Sequence, residues 1–240
     1  MKFILFFSFL FFSTLSNAQI LKGILQKATK IVTAAKPGLS NEDIANGLKE
    51  ALTIGTEKGC SSLSATDGFF KNAALKILMP PEAQKMENTI RSFGLNQLAD
   101  DFILSLNRAA EDACKTASPI FLKAIKEMTI TDGITILRGD DTAATYYLKS
   151  KTQNDLMNSF SPIIKTSLDK VDATKYWEMI ISVYNKIPLV NKKINANLTG
   201  YVTEKAMLGI YNEIAKQEKD IRINPLARTS ALLKSVFEKK

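Results

Sequence analysis

Leu198-Thr199-Gly200-Tyr201-Val202-Thr203-Glu204-Lys205-Ala206-Met207-Leu208-Gly209-Ile210-Tyr211-Asn212-Glu213-Ile214 is the stretch whose reading decides the fold class. Leu198, Val202, Ala206, Ile210 and Ile214 recur every four residues, the spacing that keeps side chains on one flank of an α-helix. Tyr201, Leu208, Tyr211 and Ala215 are read as widening that apolar face, which places this helix near the centre of a core.

The same periodicity extends outward in both directions. Ser40 and Asp43 have capping-box spacing and open a helix with Ile44, Leu48 and Leu52 on one stripe, its far end weakened by Gly55 and Gly59. Asp67-Gly68 marks a turn. Lys76 to Met79 precede Pro80-Pro81 and form at most a very short extended segment, after which Pro81 suits a first helical position and Gly94 a stop. Leu98, Phe102, Leu106, Ala110 and Cys114 make another helical stripe. Further helix starts are expected at Ser118-Pro119, Thr131-Asp132, Asp141-Thr142, Thr152 and Thr174. Pro162 either opens a helix or kinks one already under way. Asn224-Pro225 is expected to cap the last helix, which carries Leu232, Leu233 and Val236. The fold class is all-α: residues 39–240 as a single multi-helix domain, preceded by an amphipathic N-terminal helix and linker at 19–38.

Residues 1–18 have the three parts of a secretory signal. Lys2 supplies the charge, Phe3 to Leu15 the apolar stretch, and Ser16-Asn17-Ala18 the small residues before a cleavage point. An exported location, periplasmic in a Gram-negative cell, is the expectation, with no transmembrane helix in the mature chain. In the following segment Ile20, Leu21, Ile24, Leu25, Ala28, Ile31, Val32 and Ala35 fall within an arc of about 140°, with Lys22, Lys27, Lys30 and Lys36 outside it. The residues expected to meet a membrane surface or a partner are Ile20, Ile24, Leu25, Lys27, Ile31 and Val32, unless the helix docks on its own domain.

Charge narrows the partners. The formal charge of +8 is concentrated before Glu42; from there on 27 Lys and Arg face 24 Asp and Glu. That body has no dense basic stripe of the kind a nucleic-acid reader needs, so no nucleic acid is expected.

The chemical vocabulary is short. With no histidine among the 240 residues, imidazole bases and imidazole metal ligands are excluded. Ser167 and Lys170 match S-x-x-K in form, without the companion motifs of Ser-Lys hydrolases. Two cysteines 54 positions apart do not make a zinc site, and Asp100-Asp101 and Asp140-Asp141 lack a calcium loop. No metal and no cofactor is expected. Cys60 and Cys114 both continue core-facing stripes, so they either bridge, as export would favour, or remain two buried small hydrophobes. Tyr146, Tyr147, Tyr176, Trp177 and Tyr201 are read as core aromatics rather than a ligand cage. Asn107, Arg108 and Glu111 share one flank of their helix. With Arg222 and Arg228 they make either a structural salt-bridge network or an anion-binding pocket built on guanidinium forks.

Several strings resemble one bacterial exported family, catalogued as domain of unknown function 4197. They are Gly47-Leu48-Lys49-Glu50-Ala51-Leu52, Asp67-Gly68-Phe69, Asn107-Arg108-Ala109-Ala110-Glu111, Ala143-Ala144-Thr145, Tyr201-Val202-Thr203 and Ile221-Arg222-Ile223-Asn224-Pro225-Leu226-Ala227-Arg228. The resemblance implies a single exported helical domain and brings no catalytic residue with it. The functional expectation is a non-enzymatic envelope protein that binds an envelope protein, a lipid or the membrane surface. The alternative is an enzyme acting on an anionic envelope substrate through carboxylates and an Arg/Lys pocket.

Overall fold

A computed structural model describes residues 39–186 and 197–237. The signal-like and amphipathic segments, including Ile20, Ile24, Leu25, Lys27, Ile31 and Val32, lie outside the described residues. Nine α-helices and no strand occur among the described residues: α1 (Asn41–Ser64), α2 (Gln84–Ser92), α3 (Asn96–Cys114), α4 (Ala117–Glu127), α5 (Ile130–Arg138), α6 (Ala143–Lys170), α7 (Ala173–Asn185), α8 (Leu198–Ile223) and α9 (Ala231–Phe237). Short 3₁₀ turns at Pro81–Ala83 and Pro225–Ala227 lead into α2 and towards α9. The all-helical expectation is met, and Lys76 to Leu78 run without regular structure.

Two helices carry the centre. α3 buries Phe102, Leu106, Ala110 and Cys114 on one flank, as its stripe requires, and also Ser105, Asn107 and Glu111 on another. It is therefore covered on both sides. α8 buries Val202, Ala206, Ile210 and Ile214 but also Glu213, Gln217 and Glu218. Leu208 is a correction: it is 49% exposed and does not widen the apolar face. Phe102 stacks on Trp177 with ring centroids 5.3 Å apart, and Phe121 meets Tyr211 edge-on at 5.9 Å.

Several boundaries differ from expectation for local reasons. α1 does not weaken at Gly55 and Gly59; it runs on to Ser64. Its glycines face α8, where a Cβ at Gly59 would lie 3.4 Å from Glu213 and one at Gly55 3.3 Å from Gln217, so they allow a close helix crossing. α5 starts at Ile130, one residue before Thr131, because Thr129 is the cap and forms a reciprocal capping box with Asp132. Thr152 starts nothing. It sits inside α6, donating to the Leu148 carbonyl at 2.7 Å and meeting the Tyr211 hydroxyl at 3.0 Å. α6 also passes through Pro162, which thus lies within a helix already under way. Asn224 caps the 3₁₀ turn at Pro225–Ala227 rather than the last helix, which begins only at Ala231. No helix among the described residues is long and apolar enough to cross a membrane.

Candidate functional site

The sequence-derived polar set separates into two stations. At the first, α1 ends and the chain reverses through Asp67, held at φ +70°, and Gly68. Glu111 reaches this turn from α3. Its Oε1 accepts the backbone N–H groups of Phe69 and Phe70 at 3.0 and 3.2 Å. Its Oε2 accepts Arg108 Nη1 at 2.6 Å, and Arg108 Nη2 donates to Asp67 at 2.7 Å. Hydrogen bonds from Lys71 and then Arg108 hold the Asp67 carboxyl below its usual range. One turn away, Asn107 clamps irregular chain: its Oδ1 accepts Ile77 N–H at 2.8 Å and its Nδ2 donates to the Ile77 carbonyl at 2.8 Å.

The second station is the start of α6. Thr142 makes no side-chain cap there. The cap comes from α8 instead, because Glu218 Oε1 accepts Ala144 N–H at 3.0 Å and Oε2 accepts Thr145 N–H at 2.9 Å and its hydroxyl at 2.8 Å. Such a carboxylate satisfies orphan amides and lies at the positive end of the helix dipole. Arg222, one turn along α8, donates Nε and Nη2 to the same Oε1 at 3.0 and 2.8 Å, and Nη2 also reaches the Ile136 carbonyl at 2.9 Å. Arg228 turns back onto the carbonyls of Ile221 and Arg222.

The structure thus joins Arg108 to Glu111, and Arg222 to Glu218 and to Arg228, but the two stations share no partner. Both are built alike: a buried glutamate accepts two backbone amides, and a guanidinium on its own helix neutralises it. Glu218 and Asp67 were not picked out as site residues from the sequence. The i,i+4 spacing of Glu218 and Arg222 was the available signal. A cavity beside Arg222, between α1, α6 and α8, has a volume of about 10 Å³, room for about one water. With their donors and acceptors already matched, these groups orient backbone and offer little to a substrate.

Other candidates are similarly engaged. Ser167 donates to Asp112, whose carboxyl is held low by that bond and by Lys115. Asp100 pairs with Arg91 at 2.8 Å, and Asp140 accepts the Thr142 N–H at 2.9 Å. No group of three metal-ligating side chains occurs among the described residues. Cys60 and Cys114 are free and buried; burial pushes the Cys60 thiol up to about 12 and raises Cys114 as well. Trp177 is in the core, whereas Tyr146 is 65% exposed, and Tyr201 donates to the Leu78 carbonyl at 3.1 Å.

Larger concavities lie at the surface. One, of about 550 Å³, runs between α1 and α8 and is lined by Lys58, Ser62, Glu213, Lys216, Lys219 and Ile223, among others. Two more, of about 290 and 310 Å³, share Ile120, Lys123 and Asp155 along α4 and α6.

Residues 38–238 match the family model described as protein of unknown function (DUF4197). No curated protein and no solved structure matches the chain. The strings that carry the resemblance meet in space: Asp67-Gly68-Phe69 is held by Arg108 and Glu111, and Ala144 and Thr145 are joined through Glu218 to Arg222.

Proposed function

The chain belongs to that family, whose model spans every described helix, and from this premise we propose a non-enzymatic, exported binding protein of the cell envelope. Its partner is an envelope protein, a lipid or the membrane surface, and nucleic acid is not among its ligands. One observation carries the reading: the polar groups that could have formed a reaction centre are consumed in holding the fold. Glu111 and Glu218 each take two backbone amides and a guanidinium, and the space left beside Arg222 is about 10 Å³. Every described carboxylate whose pKa is displaced moves downward, to the ionised side, which does not suit a general acid at neutral pH. What remains for recognition is the outer surface, including its open grooves, together with the amphipathic segment Ile20 to Ala35.

Cell fractionation with intact-mass measurement and native mass spectrometry of the purified protein tests this. The expected product is a chain lacking residues 1–18, in the envelope fraction, retaining a lipid or a stoichiometric protein partner. Full-length protein in the cytosol would overturn the export reading, and turnover of an envelope substrate would overturn the non-enzymatic one.

A further inference from the structure

The C-terminal half of α8 sorts its long side chains by direction. Arg222 turns inward onto Glu218 and the Ile136 carbonyl, and Arg228 onto the carbonyls of Ile221 and Arg222. Lys216, Lys219 and Ile223 are spaced three and four apart on another flank, and all three are exposed. They wall the groove of about 550 Å³ whose other wall is Lys58 and Ser62 of α1. The close approach at Gly55 and Gly59 sets Gln217 and Glu213 between the helices, so the lysines stand at the rim.

The groove lining sets three lysines against two carboxylates, Glu213 and Asp220, both of which already accept hydrogen bonds. Buried Glu213 accepts the Gln217 amide and has Lys216 at 3.7 Å; Asp220 accepts the Asn224 amide at 3.1 Å. No carboxylate lies within ion-pair distance of Lys58 or Lys219 among the described residues. Just past the groove the chain fixes a large aliphatic in water. The Asn224 side chain accepts the Leu226 N–H at 3.0 Å, and Leu226 is 91% exposed beside Ile223 at 63%. Exposing such side chains forgoes the free energy that burying them would release.

Lys58 and Lys219, which no described carboxylate approaches, together with projecting aliphatics match a charged, greasy boundary: ammonium groups meet phosphates while Ile223 and Leu226 enter the acyl edge. A polyanion without an apolar layer would leave those two side chains in water. A protein surface with defined carboxylates is best gripped by planar guanidinium forks, and here both nearby arginines face inward. We infer that the α1–α8 groove rim, Lys58, Lys216 and Lys219 with Ile223 and Leu226, docks on an anionic phospholipid surface. This rests on the envelope-binding reading above and names the surface that meets the membrane.

The test is co-sedimentation of the mature chain with vesicles of phosphatidylcholine alone or with equal parts phosphatidylglycerol. Binding is expected to the anionic vesicles and to weaken with salt. Lys58→Glu with Lys219→Glu should reduce it roughly tenfold or more. Ile223→Ser with Leu226→Ser should also reduce it, while Lys85→Glu with Lys175→Glu, of equal charge change on α2 and α7, should leave it within about twofold. Melting curves establish that each variant is folded. Absence of binding by the parent chain, or binding by the Lys58/Lys219 variant equal to that of the Lys85/Lys175 control, overturns the inference. If Ile24→Asp with Ile31→Asp alone abolishes binding while the groove variants bind normally, the groove inference falls and the envelope-binding reading stands.

Discussion

Asn107 and Ile77 exchange two hydrogen bonds, N–H to Oδ1 and Nδ2 to carbonyl, both of 2.8 Å, so a side-chain amide does for irregular chain what a neighbouring strand would do. Ile77 is 1% exposed and Asn107 fully buried. Removing the amide leaves a buried N–H and a buried C=O without partners, each costing about 1–3 kcal/mol. Asn107→Leu is therefore expected to lower unfolding free energy by about 2–4 kcal/mol, measured as a fall in the urea midpoint with an unchanged slope.

Glu218 and Arg222 are expected to be strongly coupled. Glu218→Gln or Arg222→Met alone breaks a buried, hydrogen-bonded pair, at a cost of about 3–5 kcal/mol. The double variant should lose clearly less than the sum of the two, because neither charge is then left unpaired. A double-mutant cycle by chemical denaturation measures this, and simple additivity would argue against the pair acting as one unit.

Gly209 packs under Phe69. A Cβ there would lie 2.6 Å from the Phe69 ring, so Gly209→Ala forces the ring aside and should cost about 1–3 kcal/mol despite the better helix propensity of alanine. Adding Phe69→Leu should cost less in the Gly209→Ala background than in the parent, as read by thermal denaturation.

Acid should destabilise the fold through its depressed aspartates. Hydrogen bonds from Ser167 to Asp112, and from the Thr129 backbone to Asp132, hold both carboxyls below their usual range. Below about pH 4 the unfolded chain takes up protons before the folded one does, so stability present at neutral pH is lost as pH falls through the folded values. Asp112→Asn and Asp132→Asn should each flatten the acid limb of a plot of urea midpoint against pH.

The two thiols should be silent in the folded protein. Cys60 and Cys114 are buried, with Cys60 pushed up to about 12, so neither presents thiolate near neutrality. A colorimetric thiol reagent is expected to label neither in native protein and both after denaturation without reductant. A denatured, unreduced chain with no reactive thiol would instead demonstrate a bridge.

What was legible in the sequence was whatever periodicity encodes. The four-residue recurrence of Val202, Ala206, Ile210 and Ile214 identified a buried helix correctly, as did Phe102, Leu106 and Ala110. Thr152 was misread because a threonine among polar neighbours looks like a cap, and its actual partner, Tyr211, is 59 residues away. Gly55 and Gly59 looked like weak points because the helix they face cannot be seen from α1 alone. The ionic set was half legible. Arg108 and Glu111 announce each other by their spacing, but that Glu111 holds Phe69 and Phe70, or Glu218 holds Ala144 and Thr145, depends on tertiary contacts some 40 and 70 residues apart.

The borrowed cap of α6 has a consequence for the order in which this chain matures. Synthesis delivers a polypeptide from its amino end, so the first turn of α6 is made long before the glutamate that completes it. Gly47 of α1 likewise waits for Val236, which sits against it from α9. A nascent chain that does not yet include Glu218 therefore has α6 unfinished at one end and part of α1 uncovered. A fragment that terminates before Glu218 is expected to be cut by a protease more readily than the whole chain.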